Sequence, residues 1–152
     1  MSEQSPQDYF RLILLTVVGQ AYQAAGYQLQ DRPMQWAGGM FRFSKDLGDG
    51  WHGFIDYQLL AYVTNEWANQ PSRFRVTLTR TDNPNGILSQ TDGAFQRDLS
   101  ALVVEDYDVA ILPSANHWWA FTNTDEIGKA LAEAGHLVIG YGIPTLAGTL
   151  KP

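Results

Sequence analysis

Three stretches of the sequence together predict an α+β fold. Residues 6–25 place apolar side chains at helical spacing, residues 40–82 alternate with a period of two, and the segment before Gly142 returns to helical spacing. The order helix, antiparallel strands, helix predicts a sheet of about four to five strands with a C-terminal helix packed on one sheet face. No repeat or low-complexity run interrupts the 152 residues, so residues 1–152 read as one domain.

The first helix opens at Ser5-Pro6, a capping residue followed by the residue best suited to the first helical position. Phe10, Ile13, Leu14, Val17, Val18, Ala21, Ala24 and Ala25 form its stripe, and Gly26 is its stop. Leu12, Leu15 and Tyr22 widen the apolar face, which suits burial or a homodimer through this helix. The run Leu12–Val18 is too short to span a bilayer. Ala21, Ala24 and Ala25 imitate a signal-peptide cleavage site, but Glu3 and Asp8 spoil the positive leader, so a cytoplasmic location is expected.

A short strand is placed at Tyr27–Gln30, before an irregular connection containing Pro33 and Gly38-Gly39. Met40–Lys45 is a strand with Phe41 and Phe43 inward and Arg42 and Ser44 outward. Asp49-Gly50 marks a hairpin turn into Trp51–Leu60. There Trp51, Ile55, Tyr57 and Leu59 share one face, and His52, Phe54, Asp56 and Gln58 the other. A loop through Asn65, Asn69 and Pro71 leads to Arg73–Asp82, whose Phe74, Val76 and Leu78 alternate with Arg73, Arg75, Thr77 and Thr79.

Asp82-Asn83-Pro84-Asn85-Gly86 is a turn cluster, and residues 87–97 show no period. Leu99–Glu105 is expected to be a strand from its Leu-Val-Val run, with a short extended piece at Val109–Leu112 and a strand at Trp118–Phe121. Thr122 and Thr124 are candidate caps for the last helix, and Asp125 and Glu126 load its first turn. Gly142 and Pro144 are expected to end it.

This layout resembles the domain-of-unknown-function 4304 family of small bacterial proteins. The resemblance rests on Ala25-Gly26-Tyr27, on Met40-Phe41-Arg42-Phe43, and on Trp119 before Thr124-Asp125-Glu126 and Tyr141-Gly142-Ile143-Pro144. It departs at Trp36-Ala37-Gly38-Gly39, which lacks basic residues, and in the long 61–72 and 83–98 connections. It implies an α+β fold and no assigned reaction. Similar small acidic proteins serve as immunity partners of secreted toxins, which makes that role an analogy for this chain.

Composition excludes several functions. With no cysteine there is no disulfide, thiolate metal site or cysteine nucleophile. A net charge of −6 provides no basic footprint for nucleic acid. No phosphate loop, zinc-protease or EF-hand motif occurs, so no cofactor is expected. His52 and Asp56 share a strand face but lie about 13 Å apart, too far for one metal or proton. His136 reads as a surface residue at a helix C-terminus.

What remains are surfaces. His117 beside Trp118-Trp119 is a candidate pocket or interface, with one indole in the core and the other outside. Arg42, Arg73 and Arg75 would form an outward cationic stripe, or pair with Asp56 across strands. Between residues 98 and 126 stand six acidic residues and no basic one, so Glu105, Asp106 and Asp108 could face a basic partner. The expected function is non-enzymatic protein binding, with a small-molecule or hydrolase pocket near His117 and Trp118 as the alternative.

Overall fold

The computed structural model describes residues 5–61 and 71–152. It is an α+β fold, with an N-terminal helical run, a six-stranded antiparallel sheet and a C-terminal helical run. The described strands thus number one more than the upper expectation. The segment containing Asn65, Trp67 and Asn69 lies outside the described residues.

The N-terminal run comprises α1 (Pro6–Leu14), a π-helical turn (Leu15–Gly19) and α2 (Gln20–Ala24). Ser5 caps it, its hydroxyl accepting from the Asp8 amide at 3.0 Å. Gly26 ends it at φ +94°, with Gly26 N donating to Gln23 O and Tyr27 N to Tyr22 O. Its buried residues are Phe10, Leu14, Val18 and Tyr22, spaced by four throughout. In a regular α-helix such a stripe drifts about 40° per step. The wider π turn rotates it back, and all four side chains reach the buried core.

Strand β1 (Gln28–Leu29) and helix α3 (Pro33–Ala37) precede β2 (Met40–Gly48), β3 (Trp51–Leu60) and β4 (Ser72–Thr81). The β2–β3 turn is Asp49-Gly50, both with positive φ, as a tight hairpin with right-handed strand twist requires. Phe41, Phe43, Ile55, Tyr57, Phe74, Val76 and Leu78 all face the helices and are buried. Phe10 packs on Phe41 and Phe74, and Tyr22 packs edge-on against Phe43. The Tyr22 and Tyr57 hydroxyls share a buried hydrogen bond of 2.6 Å. Burial pushes both phenols above the usual tyrosine range.

On its far edge β4 has two short partners, end to end. Strand β6 (Trp119–Phe121) pairs with Ser72–Phe74, and β5 (Phe95–Asp98) with Thr77–Arg80.

Five local expectations are corrected. Leu99–Glu105 is not a strand: it is α4 (Leu99–Ala101) running into a π turn (Leu102–Asp106). Leu99, Leu102 and Val103 are buried at spacings of three and four, so helical burial outweighs the β preference of Leu-Val-Val. Val109–Leu112 is not extended either, since Asp108 turns the chain at φ +56°. The last strand begins at Trp119 rather than Trp118.

The C-terminal run is α5 (Thr124–Leu137), a π turn (Val138–Gly142) and α6 (Ile143–Ala147), so Gly142 and Pro144 do not stop it. Gly142 lies where a Cβ would approach Leu78 to 3.1 Å. Pro144 sits in the first turn of α6, where a missing N–H costs least. The stop is Gly148, in the left-handed conformation. The cap of α5 is Asn123, accepting from the Glu126 amide at 2.9 Å, rather than Thr122 or Thr124.

Candidate functional site

Alternation along β4 and β6 decides which way the two adjacent indoles point. Trp119 stands opposite Phe74 in the register and stacks on it, with centroids 5.5 Å apart at 13°. Its indole N–H donates to Glu133 on α5 at 3.0 Å. Trp119 is therefore the core tryptophan, and Trp118, one residue earlier, turns to the opposite sheet face.

On that face Trp118 meets two arginines. Arg73 and Arg75 lie two residues apart on β4, and their guanidiniums sit 4.7 and 4.9 Å from the centroid of the same ring. Arg75 also donates through Nε to Gln58, its register neighbour on β3, at 2.8 Å. Neither arginine meets a carboxylate among the described residues. Two cations are thus held in place, with most of their N–H groups available as far as the described residues go.

Arg42, the third member of the expected stripe, is engaged elsewhere. Directly across from Asp56, it forms a two-pronged ion pair of 2.6 and 2.9 Å, lies over the Phe54 ring and donates to Asn85 O. Across-strand pairing therefore describes Arg42, and the Trp118 stack describes Arg73 and Arg75. His52 takes no part, its ring lying 6.3 Å from that of Phe54.

His117 packs edge-on against Trp119 at 4.8 Å. Its backbone N–H donates to the buried Ser100 hydroxyl, which donates to Ala115 O, so α4 holds this loop in place. Burial lowers the His117 pKa, partly offset by the Glu133 carboxylate.

The acidic segment is less bare than its sequence suggests. Arg97 on β5 grips Asp106 through two hydrogen bonds of 3.0 and 2.9 Å and lies 3.7 Å from Glu105. Asp108 is exposed, with no cation beside it among the described residues. Among the described residues no three His, Cys, Asp or Glu side chains are placed to hold a metal ion. No helix among them is long and apolar enough to cross a membrane.

Sequence reasoning missed Gln58, Ser100, Glu133 and Arg97. Gln58 could have been found, since it alternates with Leu59 on the outward face of β3. Arg97 lies one residue before the acidic stretch, so a linear charge count passes it over.

Comparison with family models, with curated proteins and with solved structures finds no match.

Proposed function

We propose that the protein is a non-enzymatic binding module that captures an acidic segment of a protein partner on the Arg73–Trp118–Arg75 surface. The observation that carries this is two guanidiniums stacked on one indole without a carboxylate partner among the described residues. Tryptophan and arginine dominate the energetics of protein interfaces. Stacking on the ring limits the freedom each arginine would lose on binding, and their planar donors suit carboxylates.

A second reading keeps a basic partner at Glu105, Asp106 and Asp108, in the manner of an immunity protein. Asp108, with no cation beside it among the described residues, is the observation in its favour. Arg97 weighs against it, because it neutralises much of the charge at Asp106. The pocket reading at His117 is less supported, because the imidazole lies edge-on against Trp119 and does not line the cleft described below.

The test is capture from a lysate of the source organism by wild type, by Arg73→Glu/Arg75→Glu, and by Glu105→Lys/Asp106→Lys/Asp108→Lys. A specific partner lost only with the arginine variant, and shown to bind through an acidic segment, is the expected result. Loss only with the acidic variant would favour the second reading. Equal capture by all three would reject both.

A further inference from the structure

The alternation of β4 carries an anomaly. Arg80 falls in register with Phe74, Val76 and Leu78, on the face that packs against the helices. Across the β4–β5 register, Phe95 stands opposite Arg80 and Arg97 opposite Leu78, so a second arginine shares that face. An inward arginine is costly unless something uses it.

Arg80 is held rather than neutralised. Its Nε donates to Leu146 O at 3.1 Å, its Nη1 to Gly93 O at 3.3 Å, and its guanidinium lies 4.2 Å from the Trp51 ring centroid. No carboxylate meets it among the described residues. Beside it opens a cleft of about 440 Å³ between the β4–β5 edge and the C-terminal segment. Phe95, Leu102 and Leu150 give this cleft apolar walls, and Arg80, Arg97 and Lys151 line it with cationic side chains. Asp106, its one acidic side chain, is already gripped by Arg97.

A fixed, unpaired guanidinium at the end of an apolar cleft matches one ligand chemistry: a compact negative head on an apolar body. We propose that this cleft binds a small amphipathic carboxylate, its head on Arg80 and its apolar part against Phe95, Leu102 and Leu150. The site lies on the sheet face opposite Trp118, so it is independent of the protein-binding surface above.

The probe is decanoate, with decyltrimethylammonium as the same tail under opposite charge, both far below micelle formation. Calorimetry of the full chain is expected to show saturable one-to-one binding of decanoate and none of the cation. Amide shifts are expected to gather at Gly93, Phe95, Leu102 and Gly148. Arg80→Gln is expected to weaken binding at least about tenfold while the protein stays folded. Leu150→Trp, which fills the cleft at a half-exposed position, serves the same purpose if Arg80→Gln does not fold. No saturable decanoate binding, equal binding of both amphiphiles, or affinity unchanged in the folded variant would each overturn the proposal.

Discussion

Arg42 and Asp56 face each other across the β2–β3 register and close a two-pronged ion pair on the outer side of the sheet. The side chains retain 23% and 10% of their exposure, so neither is freely hydrated. Breaking the pair from one side leaves an ill-solvated charge. Asp56→Ala is therefore expected to destabilise the fold by about 2 kcal/mol, somewhat less than a fully buried pair would. Replacing both with apolar residues should cost clearly less than the sum of the two single changes. A double-mutant cycle by urea unfolding checks this, and additivity would refute the coupling.

His117 predicts a pH dependence. Its folded-state pKa is lowered by burial, with Glu133 opposing, so the unfolded chain takes up the proton more readily. Its contribution is neutral above the unfolded value, near 6.5. As pH falls below that value protonation favours the unfolded chain, and the penalty levels off below the folded pKa. His117→Gln should flatten the loss of stability between pH 7.5 and 5.5. Parallel curves for wild type and variant would show that His117 does not set the slope.

Two glycines of α5 should respond to alanine in opposite directions. A Cβ on Gly128 meets nothing within 4 Å, so Gly128→Ala should gain about 0.5–1 kcal/mol from helix propensity alone. A Cβ on Gly135 would come to 2.7 Å from Cγ1 of Val18, where the two helical runs touch. Gly135→Ala should lose stability, by about 1–3 kcal/mol if the runs must separate. Thermal unfolding of both variants checks the signs.

The Tyr27 hydroxyl is buried against Gly53 and finds no hydrogen-bond partner among the described residues. Removing an unsatisfied buried hydroxyl relieves a desolvation cost of about 1 kcal/mol or more. Tyr27→Phe is expected to match or exceed wild-type stability in urea. A loss of more than about 1 kcal/mol would mean that the hydroxyl is satisfied.

How far the sequence foretold this molecule depended on whether one periodicity dominated. Phe41/Phe43 and Phe74/Val76/Leu78 alternate without competition, and Asp49-Gly50 permits only a tight turn, so the central sheet was legible. At Leu99–Glu105 two signals overlapped. The β-branched pair Val103-Val104 argued for a strand, while Leu99, Leu102 and Val103 carried the helical spacing that burial selected. At the C-terminal end Gly142 and Pro144 carry the signal of a stop, but a proline can equally open a helix, and Pro144 stands in the first turn of α6.

The candidate site was half legible. Arg73, Arg75 and Trp118 each stand out in the sequence, but their meeting depends on β6 pairing with the start of β4, a long-range fact without a local signature. Arg80 continues the inward parity of Phe74, Val76 and Leu78, so its direction is legible, whereas the cleft beside it depends on the C-terminal segment meeting β4 and β5, again without a local signature.

The short strands on the margins of the sheet bear on how the protein survives at high concentration. Strand β1 has two residues, and β6 and β5 have three and four. Among the described residues β3 and β4 are flanked on both sides, whereas the nine-residue β2 meets β1 only at Phe43 and Ser44, so the outer side of β2 is the longest margin of the sheet. Templated growth into cross-β fibres needs a long, flat, unpaired rim. In this sheet the two ten-residue strands β3 and β4 are kept away from such a rim, which falls instead to β2.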